Sequence, residues 1–220
     1  MEFLGIRTLL LLLAVLGGTA TYQFFRGRRR NLELMRYSVQ VLEELLKPRD
    51  KEYRLIGLYV GYVARYILEK GGVGSVEISL VLMPRQSLFY MPMAKLTTRF
   101  DKLFMFFRLA RGAVHEAHVV RKGYYRLGLR REIKDFESMR VEEVVVKGQR
   151  YYVLYRSGSE EEAKSLLNFV EELRRPEILN HIATVPSTNS LYVATRYEPS
   201  ELKELVEKAY GLAKVLAKKG

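Results

Sequence analysis

Cysteine is absent from this sequence. Its absence excludes disulfides, thiol nucleophiles, iron–sulfur clusters and thiolate zinc sites. The compartment stays open, because a chain without cysteine is tolerated everywhere. Histidine is scarce, at three residues, and Asn and Gln number four each. Few thermolabile residues beside abundant Arg, Lys and Glu is a thermophile-like composition.

Catalytic signatures are missing too. No G-x-S-x-G elbow occurs. The run Gly71-Gly72-Val73-Gly74-Ser75 lacks the lysine that a phosphate loop needs after its last glycine, since Lys70 precedes the glycines instead. It reads as a hairpin turn. His115-Glu116-Ala117-His118 spaces its imidazoles three apart and has no third ligand nearby, so a polar loop or strand edge is the better reading than a metal site. Glu160-Glu161-Glu162 suits the positive end of a helix dipole. Neither a catalytic residue nor a metal or other cofactor is expected from these patterns. An enzyme whose site is assembled from distant residues would leave no such signal.

What is present begins with a membrane-length run. Phe3 to Phe25 holds a single charge, Arg7. Twenty-three residues at ~1.5 Å each reach roughly 34 Å, enough for a hydrocarbon core of ~30 Å. Arg7 sits near one end and can extend to the interface, and Tyr22, Phe24 and Phe25 sit where interfacial aromatics belong. Arg26, Arg28, Arg29 and Arg30 follow at once as the basic flank of this anchor. The positive-inside rule puts that flank in the cytosol, the N-terminus outside and the remaining domain inside, in a single-pass protein of the cell membrane. A cleaved signal peptide is the rival reading, with Leu9–Leu16 as its apolar core and Gly18-Thr19-Ala20 as a small-residue cleavage site. The arginine cluster just beyond argues against it.

The formal charge is +12, from 37 basic and 25 acidic residues. Residues 1–30 account for +4 of it, which leaves 32 basic and 24 acidic residues in the rest. A basic domain beside an anionic leaflet is attracted to it, and RNA or ribosome binding is the competing explanation.

Beyond the anchor the chain reads as α+β. Leu32, Met35, Val39, Leu42 and Leu46 recur at helical spacing, so 31–48 is a juxtamembrane amphipathic helix ended by Pro48. Its apolar stripe suits packing on the chain's own domain, with a homodimer seam as the alternative. Residues 49–220 form the cytosolic domain. Strands are expected over Tyr53–Leu68, Ser75–Met83, Phe100–Leu109 and Val119–Leu129. Val141–Val146 and Tyr151–Arg156 form a hairpin followed by a helix at Glu160–Arg174 with Ser159 as N-cap. Ile182–Val185, Leu191–Tyr197 and a helix over Pro199–Lys218 repeat that order. The sheet is therefore mainly antiparallel, and 141–220 is a candidate subdomain.

Two stretches suggest binding. If residues 121–131 were a strand, Lys122, Tyr124, Arg126 and Arg130 would share a face, which suits anionic lipid headgroups or RNA; a solvated sheet face is the plainer reading. Residues 83–93 are apolar with two prolines, which suits core packing, an adaptable binding loop, or contact with the membrane interface. Taken together, these features describe a membrane-anchored, non-enzymatic scaffold or adaptor that binds a protein partner near the inner leaflet. A membrane-tethered RNA or ribosome contact through 121–131 is the alternative.

Overall fold

The apolar run and the amphipathic stretch that follows it have no proline between them, and that decides the first element. The computed structural model describes residues 2–69, 71–110, 114–125, 128–133 and 136–218. In it α1 is one helix, Glu2–Leu46, of 45 residues. At ~1.5 Å per residue it is about 67 Å long. The two helices expected on either side of the arginine cluster are thus continuous. A lone interior glycine costs only ~1 kcal/mol, too little to break such a helix. Among the described residues, α1 is the one helix long and apolar enough to cross a membrane. It stops at Leu46, where Lys47 turns left-handed (φ 44°) ahead of Pro48.

Nine strands follow: β1 (Asp50–Leu55), β2 (Gly61–Ile67), β3 (Val73–Val81), β4 (Lys102–Leu109), β5 (Ala117–Arg121), β6 (Arg140–Val146), β7 (Gln149–Tyr155), β8 (Leu179–Val185) and β9 (Ser190–Arg196). The helices α2 (Tyr90–Thr97), α3 (Leu129–Glu132), α4 (Glu160–Glu172) and α5 (Leu202–Leu216) lie between or after them. Among the described residues the strands form one antiparallel sheet in the order β1-β2-β3-β4-β9-β8-β5-β7-β6. This is the expected α+β architecture. The 102–121 region and the 141–220 region share that sheet, because β5 lies between β7 and β8.

Strict alternation gives the sheet two different faces. The row Ala64, Ile78, Met105, Val193, Ile182, Val119 and Val153 runs in register across seven strands. These residues are buried under the C-terminal half of α1, α4 and α5. Met35, Leu42 and Leu46 of α1 enter this core, while Leu32 and Val39 are half-buried. The stripe on 32–46 is therefore spent largely on the chain's own domain. The neighbouring row Val63, Ser79, Phe104, Ala194, His181, Val120 and Tyr152 faces the other way. Over its far end, Ile133 and Met139 join Val120 and Leu154 in a small second core, with Tyr124, Tyr125, Leu129 and Phe136 packed against it.

Three local expectations change. Tyr53–Leu68 is not one strand but two, because Gly57 (φ 53°) and Tyr59 (φ 60°) make a turn within the apolar run. The expected strand over Val119–Leu129 ends at Arg121, where Lys122-Gly123 turns the chain. Ser159 is buried but its hydroxyl does not cap α4; its carbonyl accepts from the Ala163 N–H, and the Glu160 carboxylate accepts from the Gly158 N–H.

The attachment of α1 to the domain is polar and mostly buried. Arg85 grips Asp101 with both arms, at 2.9 and 2.7 Å, and donates to Asn31 Oδ1 at 3.1 Å. Asp101 also accepts from the Met83 N–H at 2.7 Å. Asn31 is fully buried and donates to the carbonyls of Tyr59 and Met83. Gln23 donates to the Arg85 carbonyl at 2.8 Å. Gly27 is the seat for this loop, since a Cβ there would collide with the backbone of Arg85 and Gln86. Gly27 is therefore a close-packing position within α1.

Asp101→Ala leaves the Arg85 guanidinium and the Met83 N–H without their acceptor. The expected loss is about 2–3 kcal/mol, below the cost of breaking a fully buried pair because the Arg85 side chain is 21% exposed. Denaturant midpoints of the detergent-solubilised chain measure it. A shift within ~0.5 kcal/mol of wild type would remove the clamp from its structural role.

Candidate functional site

The fold scatters the expected stripe. Lys122 leaves the end of β5, pairs with Glu143 at 2.9 Å and stands 5.5 Å from the Tyr152 ring centroid. Arg130 sits on α3, 3.4 Å from Glu137 and 5.8 Å from the Phe136 ring. Tyr124 is half-buried and packs on Tyr125, with centroids 4.6 Å apart. Arg126 lies outside the described residues. Among the described residues Lys122, Tyr124 and Arg130 are not in a strand, because Gly123 (φ 81°) turns the chain after Lys122 and Gly128 (φ 90°) turns it ahead of Arg130. Lys122 and Arg130 already hold carboxylates. Of the anchor flank, Arg29 and Arg30 both reach Glu33, Arg28 covers the Tyr59 ring at 4.4 Å, and Arg26 is exposed.

A different cationic group forms at the end of the sheet. A cleft of about 690 Å³ is lined by Arg99, Phe100, Lys102, Arg121, Tyr124, Tyr125 and Arg196, and also by the carboxylates Glu132 and Glu198. Register explains the pairing of its centre: Lys102 lies opposite Arg196 on β4 and β9. Arg196 stacks on Phe100, 4.5 Å from the ring centroid. Arg121 donates to the Glu177 carbonyl at 3.3 Å. Arg99 follows α2 in the left-handed region (φ 65°), a position that favours glycine.

Several surface cations meet carboxylates, as in Arg49–Glu69, Lys51–Glu43, Arg156–Glu116 and Arg175–Glu177, whereas others, such as Arg54 and Arg65, stand exposed to solvent. Among the described residues, no carboxylate lies within ion-pair distance of Arg99, Lys102, Arg121 or Arg196. The Nε groups of Arg121 and Arg196 are buried and unpartnered. Burial, and then the neighbouring positive charge of Arg196, lower the pKa of Arg121 from its ordinary value. Two guanidinium groups repelling each other in a half-buried place are relieved by an anion between them.

Behind the cleft lies a polar chain that sequence reading did not assemble. The Tyr125 hydroxyl is 2.8 Å from His181 Nδ1, and His181 Nε2 is 3.1 Å from His118 Nδ1. His118 Nε2 faces Glu116 at 3.4 Å, within ion-pair range though not hydrogen-bonded. The carboxylate sets the polarity of the chain: a proton on His118 Nε2 faces Glu116, so His118 Nδ1 accepts from His181 and His181 Nδ1 accepts from Tyr125. Burial lowers both histidine pKa values, His181 well below 6.5. Burial likewise raises the Tyr125 hydroxyl. Neutral imidazoles and a protonated phenol make a brace between β5, β8 and the 122–125 turn, and a poor base at neutral pH. Of the motif at 115–118, His115 stands apart on Glu162 at 3.0 Å. Among the described residues, no group of three or more His, Asp or Glu is placed to hold a metal ion.

No family model matches this chain, and no curated protein sequence matches it. One similar solved structure is the crystal structure of the mycobacterial trehalose monomycolate transport factor A, TtfA, at 9% identity and a TM-score of 0.46 over 83% of this chain and 94% of that one. A likeness at that level carries no argument about function.

The histidine pair gives the fold a pH signature. Unfolded, both rings take up a proton near their ordinary value of 6.5; folded, they take it up at lower pH. Their stabilising effect is complete above pH 6.5 and is lost as pH falls below it, with a slope of up to ~1.4 kcal/mol per pH unit for each ring. Melting temperature is expected to drop between pH 7 and 5, and to drop less in His181→Gln. The displaced carboxylates, such as Glu43 and Glu177, lie below 4.5 and titrate outside this window. Equal slopes in wild type and variant would exclude the histidine pair as the source.

Proposed function

We propose that this chain is a membrane-tethered, non-enzymatic adaptor whose domain holds an acidic segment of a protein partner near the inner leaflet. The apolar part of α1 crosses the bilayer, Arg26, Arg28, Arg29 and Arg30 stay on the cytosolic side, and residues 31–220 lie there with them. The observation that carries this reading is the cleft, where four cations without carboxylate partners stand among aromatic rings. Arginine, tyrosine and phenylalanine are the residues that protein interfaces concentrate, and a planar guanidinium reads a carboxylate with two parallel hydrogen bonds. The flank arginines, four cations against the single Glu33 carboxylate, supply a wider positive field that draws such a partner in.

RNA is the second reading, because the same cations suit phosphates and Tyr124 and Tyr125 suit stacked bases. Salt separates the two. Phosphate contacts release counterions, so RNA affinity falls steeply as salt rises, whereas an interface with an aromatic core falls less.

The test uses the full chain in mild detergent with two probes, a labelled glutamate-rich peptide and single-stranded oligouridine. Lys102→Gln combined with Arg121→Gln and Arg196→Gln is expected to weaken the peptide by at least tenfold, since each charge-assisted contact contributes ~1.5–3 kcal/mol. The same variant should lose a partner that co-purifies with wild type from native membranes. Unchanged peptide binding would sink the reading. Tighter binding to oligouridine, with a steep salt slope that the variant flattens, would move RNA into first place.

A further inference from the structure

Residues 83–93 fold into a loop and the start of a short helix, and that helix has a conspicuous outer side. On α2 and the residue before it, Phe89 is 72% exposed, Met93 58% and Leu96 72%. At ~100° per residue these three fall within about 60° of one another, with Tyr90 beside them, also exposed. Ala94 is the helix's buried residue. Pro92 is accommodated because it lies in the first turn, where its missing N–H has no intrahelical partner to lose. Three large apolar side chains aligned on one exposed helix face are uncommon on a water-facing surface and mark a contact surface.

The position of this stripe identifies what covers it. The loop leading into α2 touches α1 at the close of its apolar run: the Arg85 carbonyl accepts from Gln23, and the backbone of Arg85 and Gln86 rests on Gly27. From Gly5 to Arg26 the side chains that are not fully exposed are Ala20, Gln23 and Phe24, which share one helix face with Gly27. The domain therefore meets α1 within the last two turns of the segment that spans the bilayer. Little slack separates that contact from α2, since Met91 N–H donates to the Ser87 carbonyl at 3.0 Å and Tyr90 N–H to the Ser87 hydroxyl at 3.2 Å. A second apolar tip is fixed at the same end. Leu58, 62% exposed, has its carbonyl held by Gln86, and the next residue, Tyr59, is held by Asn31 and covered by Arg28. Lys95 and Arg99 are exposed beside the stripe, where anionic headgroups would lie.

We propose that α2 is an interfacial membrane helix, lying in the leaflet that α1 leaves, with Phe89, Met93 and Leu96 among the acyl chains and Leu58 as a second point of contact. The occupant is the lipid bilayer. Charge and continuity both favour it, because the stripe adjoins an apolar span and is flanked by cations. This rests on the reading that α1 crosses the bilayer.

The chain's lack of cysteine makes the test direct. Single cysteines at Met93→Cys, Leu96→Cys, Leu12→Cys and Val145→Cys are labelled with an environment-sensitive fluorophore. Each full-length chain is then reconstituted into phosphatidylcholine–phosphatidylglycerol vesicles, with and without nitroxide lipids. Probes at 93 and 96 are expected to shift to the blue and to be quenched at least twofold by a shallow nitroxide. The probe at 145, on the exposed edge strand β6, stays aqueous, and the probe at 12 is quenched by a deep nitroxide. Phe89→Asp with Leu96→Asp should at least halve the quenching at 93 and leave position 12 unchanged. A probe at 93 as aqueous as that at 145, with 12 still quenched, overturns the proposal and leaves the anchor reading standing. A blue shift at 93 without lipid quenching means that a second copy covers the stripe, which also overturns it. Failure of quenching at 12 removes the spanning helix and the proposal with it.

Discussion

The Arg85–Asp101 pair, closed by Asn31, is the constraint on which the rest of the structure depends. It ties three separate pieces of chain: the helix α1, the connection that leaves β3, and the residue just before β4. A half-buried ion pair is an expensive joint, because desolvation opposes the Coulomb attraction. Here the surplus hydrogen-bonding capacity is used, with the Met83 N–H on the carboxylate and the Asn31 amide on two carbonyls. The result is a directional lock. An apolar contact at this place would let the sheet rock against α1, whereas a bidentate fork fixes the angle. Gly27 contributes by letting the loop backbone lie directly on the helix. A rigid helix of about 67 Å, clamped at this level, sets the height of everything downstream relative to its apolar end.

The sequence carried the large pattern because that pattern is periodic. Leu32, Met35, Val39, Leu42 and Leu46 follow the helix repeat, and three of them are buried against the sheet. The strands after residue 140 were legible because turn residues bracket them. What escaped reading was local geometry hidden in apolar sequence. Ile56-Gly57-Leu58-Tyr59 has strand composition, yet Gly57 and Tyr59 both adopt positive φ and fold it into a turn. Residues 90–97 have apolar residues and a proline, yet they form a helix with its apolar side outward. The role of Gly27 was not legible either, because nothing in its neighbours announces the Arg85 backbone 58 residues on.

The candidate site was hidden for a different reason. The cleft joins Arg99 and Lys102 to Arg121 and Arg196, and the register of β4 with β9 brings the last of these alongside the others. No local window contains them. The run 121–131 offered charge density in one place, but charge density is a poor guide without the partners. Lys122 is neutralised by Glu143 and Arg130 by Glu137, both distant enough to be invisible beforehand. The four cleft cations are dispersed in sequence, and among the described residues none has a carboxylate within ion-pair distance, although Glu132 and Glu198 line the same cleft. Of the run, Arg121, Tyr124 and Tyr125 line the cleft, and the two tyrosines owe their place to the turn at Gly123. The same reasoning applies to His118 and His181, 63 residues apart, whose contact depends on β5 pairing with β8.

The two surfaces meet at one place. Thr97 closes α2, and Thr97, Thr98 and Arg99 form one rim of the cleft. The chain is held there by three backbone hydrogen bonds, Thr98 and Arg99 to the Ala94 carbonyl and Phe100 to Thr98. Arg99 is kept in the left-handed region by that ending, at a cost of about 1 kcal/mol. Seating the outer side of α2 against a bilayer would restrain the same short segment that presents Arg99. A ligand drawn into the cleft would restrain it from the opposite side. Two binding events that order one segment favour each other, because the entropy of ordering is lost once. On the two proposals above, attachment at the membrane surface would be coupled to occupancy of the cleft through Ala94, Thr98 and Arg99. A protein fixed by a single helix would position a partner anywhere within reach of its tether. A domain clamped to that helix at Arg85, and resting on α2, would present its cleft at one height and in one orientation.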